Sequence, residues 1–273
     1  MGKRFLWVTS ALLVLSFAII SWTTARILKS PVKEQQASQV VNPGSSSSSS
    51  QLFNNYINNI YQSAKLGDAG LDSTVFEKAV TGFFNLKVAN KLAPYSSVVT
   101  IVDLAKSSCS KRMWIVDLDK MKLLLNTWVS HGQGSGGDIA TNFSNEVDSY
   151  QSSLGFYITN NVYQGKHGPS VRLDGMDEGF NDMASKRDIV VHAAPYVSQS
   201  SINQLGRLGR SQGCPAVSPK VLNQVINTIK GKTLLFINGN DSSYTSKYLD
   251  FDSAANFAMN QNNNGSGQTT AML

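Results

Sequence analysis

Near Ser97 the apolar pattern of the chain changes period, and this change limits what each half is able to form. Upstream, Phe53, Tyr56, Ile57 and Ile60 recur at helical spacing, and Val75, Phe76, Ala79, Val80 and Phe83 form a second stripe. Gly67 and Gly70 break the chain between them, and Ser73 or Thr74 with Glu77 resembles a helix start. Residues 51–95 are therefore expected to be a short helical preface, a brace without chemistry of its own. Downstream come short runs rich in β-branched residues: 98–102, 113–118, 123–129, 156–159, 189–192 and 233–237. Only 219–229 reads as a helix there, with Ser218 as its cap and Pro219 in its first turn. The expected fold class is α+β and mainly β, with the strand-rich domain over 96–240.

The termini carry other signals. Lys3 and Arg4 precede an uncharged, mostly apolar run from Phe5 to Trp22, the layout of an export signal. Counted through Ala25, the run also reaches the roughly 20 residues that span a bilayer. Residues 1–30 are thus a cleaved signal peptide or a membrane anchor through residues 5–25, and both place the rest of the chain outside the cytoplasm, in the periplasm or cell envelope. A serine-rich linker over 31–50, ending in Ser45–Ser50, has nothing to bury and is expected to be a flexible tether. Residues 241–273, with asparagine and glutamine abundant beyond Asn256, are expected to form a polar, disordered tail. The net charge of +6 is spread along the chain, without the basic-aromatic stripe of a nucleic-acid-binding protein, and suits an anionic envelope polymer.

Three histidines and two cysteines hold the polar chemistry. They are scattered singly, with no Cys-x-x-Cys or His-x-x-x-His pair, so no metal site and no cofactor are expected. Gly132–Gly137 lacks the lysine and following helix of a phosphate loop and reads as a mobile connection. His131 and His167 stand before glycines in connections, where structural roles are expected. His192 differs, because it ends the apolar strand Ile189-Val190-Val191. A thiol is mostly protonated at neutral pH, so a nucleophilic Cys214 needs a base, and His192 can serve once a backbone carbonyl near Ala193 orients its ring. Gly213 permits a tight turn whose N–H groups face an oxyanion, and Arg207 and Arg210 favour thiolate and substrate carboxylate. The competing reading is a disulfide between Cys214 and Cys109, the only other cysteine.

The residues around this pair resemble the L,D-transpeptidase catalytic domain of bacterial cell-wall enzymes. That family carries a strand-end histidine and, downstream, Ser-His-Gly-Cys; the residues here are His192 and Ser211-Gln212-Gly213-Cys214. Gln212 stands in place of the histidine, and Pro215-Ala216 replace the usual residues after the cysteine. With Gly206-Arg207-Leu208-Gly209-Arg210, these departures look like the murein branch, whose usual form is Arg-Ser-x-Gly-Cys-Pro. The likeness extends through Ala140–Asn145, Ser152–Tyr157 and Leu173-Asp174-Gly175, covering about 97–238. It implies an enzyme acting on peptidoglycan stem peptides as donor and acceptor, with Cys214 as nucleophile, His192 as base, Ser211 shaping the turn, and Gly213 and Cys214 N–H groups forming the oxyanion hole. Arg210, Arg207 and Tyr196 make up the expected substrate-binding set, with Arg210 replacing the family's arginine after the cysteine. Transpeptidation, hydrolysis as an L,D-carboxypeptidase, and an inactive wall-binding module are the functions to be separated.

Overall fold

The change of period at Ser97 is a change of layer. In the computed structural model, which describes residues 43–265, helices cover one face of a mixed nine-stranded sheet. The apolar segment 5–25 and most of the 31–50 linker lie outside the described residues. Among the described residues no helix is long and apolar enough to cross a membrane.

Helix α1 (Pro43–Ser63) and helix α2 (Ser73–Val88) are the two expected helices. Their stripes, Phe53, Ile57 and Ile60 on α1 and Val75, Phe76, Ala79, Val80 and Phe83 on α2, are buried together. The cap of α2 is Asp72, whose carboxylate accepts the Thr74 and Val75 N–H groups at 2.8 and 3.3 Å. The neighbouring hydroxyl pair expected to cap this helix lies inside its first turn.

Strands β1 (Val98–Asp103), β2 (Met113–Asp117), β3 (Lys122–Thr127) and β4 (Val129–Ser130) follow, then β5 (Gly155–Gly165), β6 (Gly168–Gly175) and β7 (Val190–Ala193). Helix α3 (Gln199–Leu205), β8 (Ala216–Val217), helix α4 (Leu222–Ile229) and β9 (Leu234–Asn238) complete the expected domain. The strand order is β3-β2-β1-β9-β5-β6-β7-β8-β4. Alternation along the central strands feeds two cores. Phe156, Ile158, Leu234 and Phe236 pack under α1 and α2, whereas Tyr157, Leu235 and Ile237 pack with α4. Burial on both faces is why these strands read as continuous apolar runs.

Three expectations about the ends of the domain are corrected. Ser45–Ser50 belongs to α1 rather than to a flexible tether, and the Ser50 hydroxyl donates to Asp252 at 2.8 Å. The polar tail over 241–273 is replaced, up to Gly265, by a 3₁₀ turn (Lys247–Leu249) and helix α5 (Phe251–Gly265). Phe251, Ala254, Ala255 and Ala258 follow helical spacing, and the three alanines are buried against the preface helices. Small apolar residues among many asparagines concealed that stripe. Finally, α4 begins at Leu222 without a side-chain cap, because Ser218–Val221 forms a turn before it.

Close packing between α2 and β5 needs Gly82. A Cβ there would lie 2.1 Å from the buried Phe156 ring. Alanine favours a helix over glycine by about 1 kcal/mol, but overpacking a core costs about 1–3 kcal/mol, and a contact this short puts the cost at the upper end. Gly82→Ala is expected to lower the urea midpoint; an unchanged or raised midpoint would contradict this packing.

Candidate active site

Cys214 stands on the loop between α3 and β8, and His192 stands on β7. The parallel pairing of these strands places His192 opposite Ala216, two residues beyond the thiol. Both residues line a cavity of about 790 Å³.

The loop around Cys214 is held by backbone and hydroxyl contacts. Ser211 Oγ donates to the Cys214 carbonyl at 2.6 Å and accepts the Gly213 N–H at 3.1 Å. The Ser152 hydroxyl donates to the Gly213 carbonyl at 3.3 Å and accepts the Gly132 N–H at 3.0 Å. Gly213 has φ +120, and a Cβ there would meet the Gln151 carbonyl at 2.8 Å, so conformation and space both require glycine. Because Ser211 takes up the Gly213 N–H, that group is not free for an oxyanion, contrary to expectation. Gly132–Gly137 also differs from a mobile connection. A Cβ on Gly132 would lie 2.3 Å from the Tyr150 carbonyl, and the Gln133 N–H donates to the Ser211 carbonyl at 2.8 Å. The loop packs beneath the Cys214 turn.

His192 is 4% exposed, and its Nδ1 lies 2.9 Å from the Ala193 carbonyl. A carbonyl only accepts, so Nδ1 carries the proton and Nε2 keeps a lone pair. Burial lowers the pKa of this imidazole, the Ala193 hydrogen bond opposes that, and His167 and Lys166 lower it further. Burial likewise pushes the Cys214 thiol up, while contact with the Val190 backbone and the Arg187 charge pull it down. The thiol lies 3.6 Å from the Asp188 carbonyl, a weak acceptor for its proton. Both partners therefore favour their neutral forms. The resting pair is thus a neutral thiol beside a neutral imidazole rather than a stable ion pair.

Cys109 and Cys214 are free thiols. Cys109 donates to the Gly206 carbonyl at 3.3 Å, away from the cavity lining. His131 is 1% exposed, accepts from Arg112 Nη2 at 2.7 Å, and has its pKa lowered to about 4, first by burial and then by that cation. Among the described residues no group of three His, Cys, Asp or Glu side chains is arranged to hold a metal.

The expected substrate set divides. Tyr196 and Arg210 line the cavity, and Arg210 Nη1 also donates to the Gly136 carbonyl at 2.6 Å. Arg207 is outside the lining; its guanidinium folds back on the Leu208 carbonyl at 2.7 Å. Three non-glycine residues of the lining, Asp148, Tyr150 and Asp188, have positive φ, a kind of backbone strain that gathers at functional sites.

A sequence profile described as "L,D-transpeptidase catalytic domain" matches residues 67–238. The chain belongs to that family. Among solved structures, the helical cell shape determining protein Pgp2 from Campylobacter jejuni is 14% identical with a TM-score of 0.36, covering 65% of this chain and 62% of that one. An L,D-transpeptidase from Mycobacterium smegmatis is 13% identical with a TM-score of 0.32, covering 52% of this chain and 58% of that one. Another, from Stackebrandtia nassauensis, is 14% identical with a TM-score of 0.33, covering 57% and 62%. The chain thus spans about three fifths of the length of each. Among curated proteins none matches it.

The 144–153 loop, which overlaps two of the segments carrying the family likeness, packs against the Cys214 loop. Ser144 and Ser153 accept Arg187 Nη1, and Arg187 Nη2 donates to the Gln151 carbonyl at 2.6 Å and to Ser149 Oγ at 3.2 Å. Arg187 is the cation that acts most directly on the thiol, and it sits in a polar turn without a motif to mark it in the sequence. His167, expected to be structural, lines the cavity together with Lys166. The two form the tip of a hairpin whose second strand, β6, begins with Gly168-Pro169, a start without a strand signal in the sequence.

Arg187→Gln is expected to move the pH midpoint of Cys214 alkylation upward by about one pH unit. Arg187→Lys should retain part of the charge effect. An unchanged midpoint in folded Arg187→Gln would remove Arg187 from the electrostatics of the thiol.

Proposed function

We propose that the chain is an exported cysteine acyltransferase, an L,D-transpeptidase acting on peptidoglycan stem peptides. The observation that carries this reading is the shared cavity of Cys214 and His192, with Nδ1 tied to Ala193 so that Nε2 is the nitrogen able to accept a proton. Family membership supplies the substrate class.

In the proposed reaction, Cys214 Sγ attacks the carbonyl of the third stem residue while His192 Nε2 takes the thiol proton. The C–N bond to the terminal D-alanine then breaks, and His192 returns the proton to the departing amine. A thioester remains on Cys214. An acceptor stem amine, deprotonated by His192, attacks that thioester, and the thiol leaves with its proton restored. The Cys214 N–H is the backbone donor of the turn nearest the developing oxyanion, now that Ser211 holds the Gly213 N–H.

The cavity walls suit an anionic stem. Lys166, Arg172, Lys186, Arg187 and Arg210 line it, against two acids, Asp148 and Asp188. The apolar run through residues 5–25 fits delivery to the wall, as a cleaved signal or an anchor. The Arg-Ser-x-Gly-Cys-Pro motif supports placement in the murein branch of the family.

Purified full-length protein incubated with tetrapeptide-bearing muropeptides is expected to yield dimers linked through the third residues, detected by mass spectrometry. Tripeptides alone would make the enzyme an L,D-carboxypeptidase, and unchanged material would refute enzymatic action on stems. His192→Asn should cut the rate by about 100-fold or more, the range of a lost general base.

A further inference from the structure

The tip of the β5–β6 hairpin reaches the imidazole of His192. Residues Lys166 and His167 form a two-residue turn closed by Gly165 pairing with Gly168, where φ is +84. The register shifts between Thr159 and Val162, and a bulge of this kind bends and twists a strand. Beyond it, the Arg172 guanidinium lies over the Tyr163 ring at 4.2 Å, joining the two strands near the tip. On its other side β6 pairs Val171 with Val191, next to His192, so the hairpin end runs alongside the base. The His167 ring is stacked on the His192 ring, with centroids 4.6 Å apart and planes at 24°.

We propose that His167 is a positioning residue for the base, laid flat on His192 by the hairpin tip so that this ring stays in place as a proton acceptor. The stack works in two ways. Ring-on-ring contact at this spacing is favourable and covers a face of the His192 imidazole that would otherwise meet water. Together with the hydrogen bond from Nδ1 to Ala193, it fixes both the plane of the ring and its tautomer. The second effect is electrostatic. Placing two imidazolium ions face to face is costly, so the stack resists the doubly charged state, and a base needed in its neutral form is kept from premature protonation.

Other charged or titratable groups lining the cavity are Lys166 on the hairpin tip, Tyr163 and Arg172 on its strands, Lys186, Arg187 and Asp188 before β7, Tyr196 after it, Arg210 and Cys214 on the facing loop, and Asp148 and Tyr150 on the 144–153 loop. Lys166 acts on His192 in the same direction as His167. After burial and the Ala193 hydrogen bond, the two hairpin-tip residues are the groups that act on the ring.

The catalytic meaning of the inference rests on the proposed role of His192 as base, but its test need not. The chain contains three histidines, so their imidazole signals can be followed by NMR during a pH titration of full-length protein labelled at histidine. Relative to wild type, His167→Phe retains an aromatic stack and removes the charge, and the His192 midpoint is expected to rise by about one pH unit. His167→Ala also uncovers the ring, and the midpoint should rise at least as far. In muropeptide assays the acidic limb of kcat/KM should move with the NMR midpoint. A His192 midpoint unchanged in His167→Phe would remove the electrostatic effect, and a midpoint and kcat/KM unchanged in His167→Ala as well would overturn the proposal. A shifted midpoint in a protein that leaves muropeptides untouched would keep the stack and reject the enzymatic reading instead.

Discussion

The short parallel contact between β7 and β8 is the constraint on which the candidate chemistry depends. His192 opposes Ala216 in that register, which puts the imidazole and the Cys214 thiol on one cavity. Side chains alternate along a strand, so a slip of one residue would send the imidazole to the opposite face. The register has support on both sides. Strand β4 pairs Val129 with Val217 and Ser130 with Ala216, and β6 pairs Val171 with Val191. Beneath it, hydroxyls of Ser211 and Ser152 replace regular strand pairing in holding the Cys214 turn, and the forked guanidinium of Arg187 ties together the 144–153 loop against which it packs.

Electrostatically, the site is a neutral pair under positive surroundings. Burial raises the thiol pKa and lowers that of the imidazole, so neither group separates charge readily at rest. Arg187 partly offsets the penalty on the thiolate, and the hairpin tip discourages protonation of His192. In the proposed reaction these are complementary demands: the first would ease formation of a Cys214 nucleophile, and the second would keep His192 ready to accept its proton.

Much of this was legible in the residues. The strand ending at His192, the glycine before Cys214 and an orienting carbonyl at Ala193 follow from local pattern and hydrogen-bonding capacity. The preface helices are legible because Phe53, Ile57, Ile60 and the α2 stripe have bulky apolar side chains. Helix α5 escaped notice because its buried face is largely alanine set among asparagines, and α3 because none of its residues is buried. Long-range placement was harder to read. Nothing local joins His167 to His192, or Arg187 to Cys214; the hairpin bend and the packed 144–153 loop bring them together. Arg207 illustrates the reverse error, a cation near the motif in sequence whose side chain folds back onto its own backbone.

The central claim is that Cys214 carries the acyl group, and its most direct measurement is the intact mass of full-length protein quenched during turnover of a stem tetrapeptide, followed by peptide mapping. The account predicts a tripeptidyl adduct on Cys214 with release of D-alanine, and its loss in Cys214→Ala. Turnover without a Cys214 adduct, and undiminished in Cys214→Ala, would contradict it.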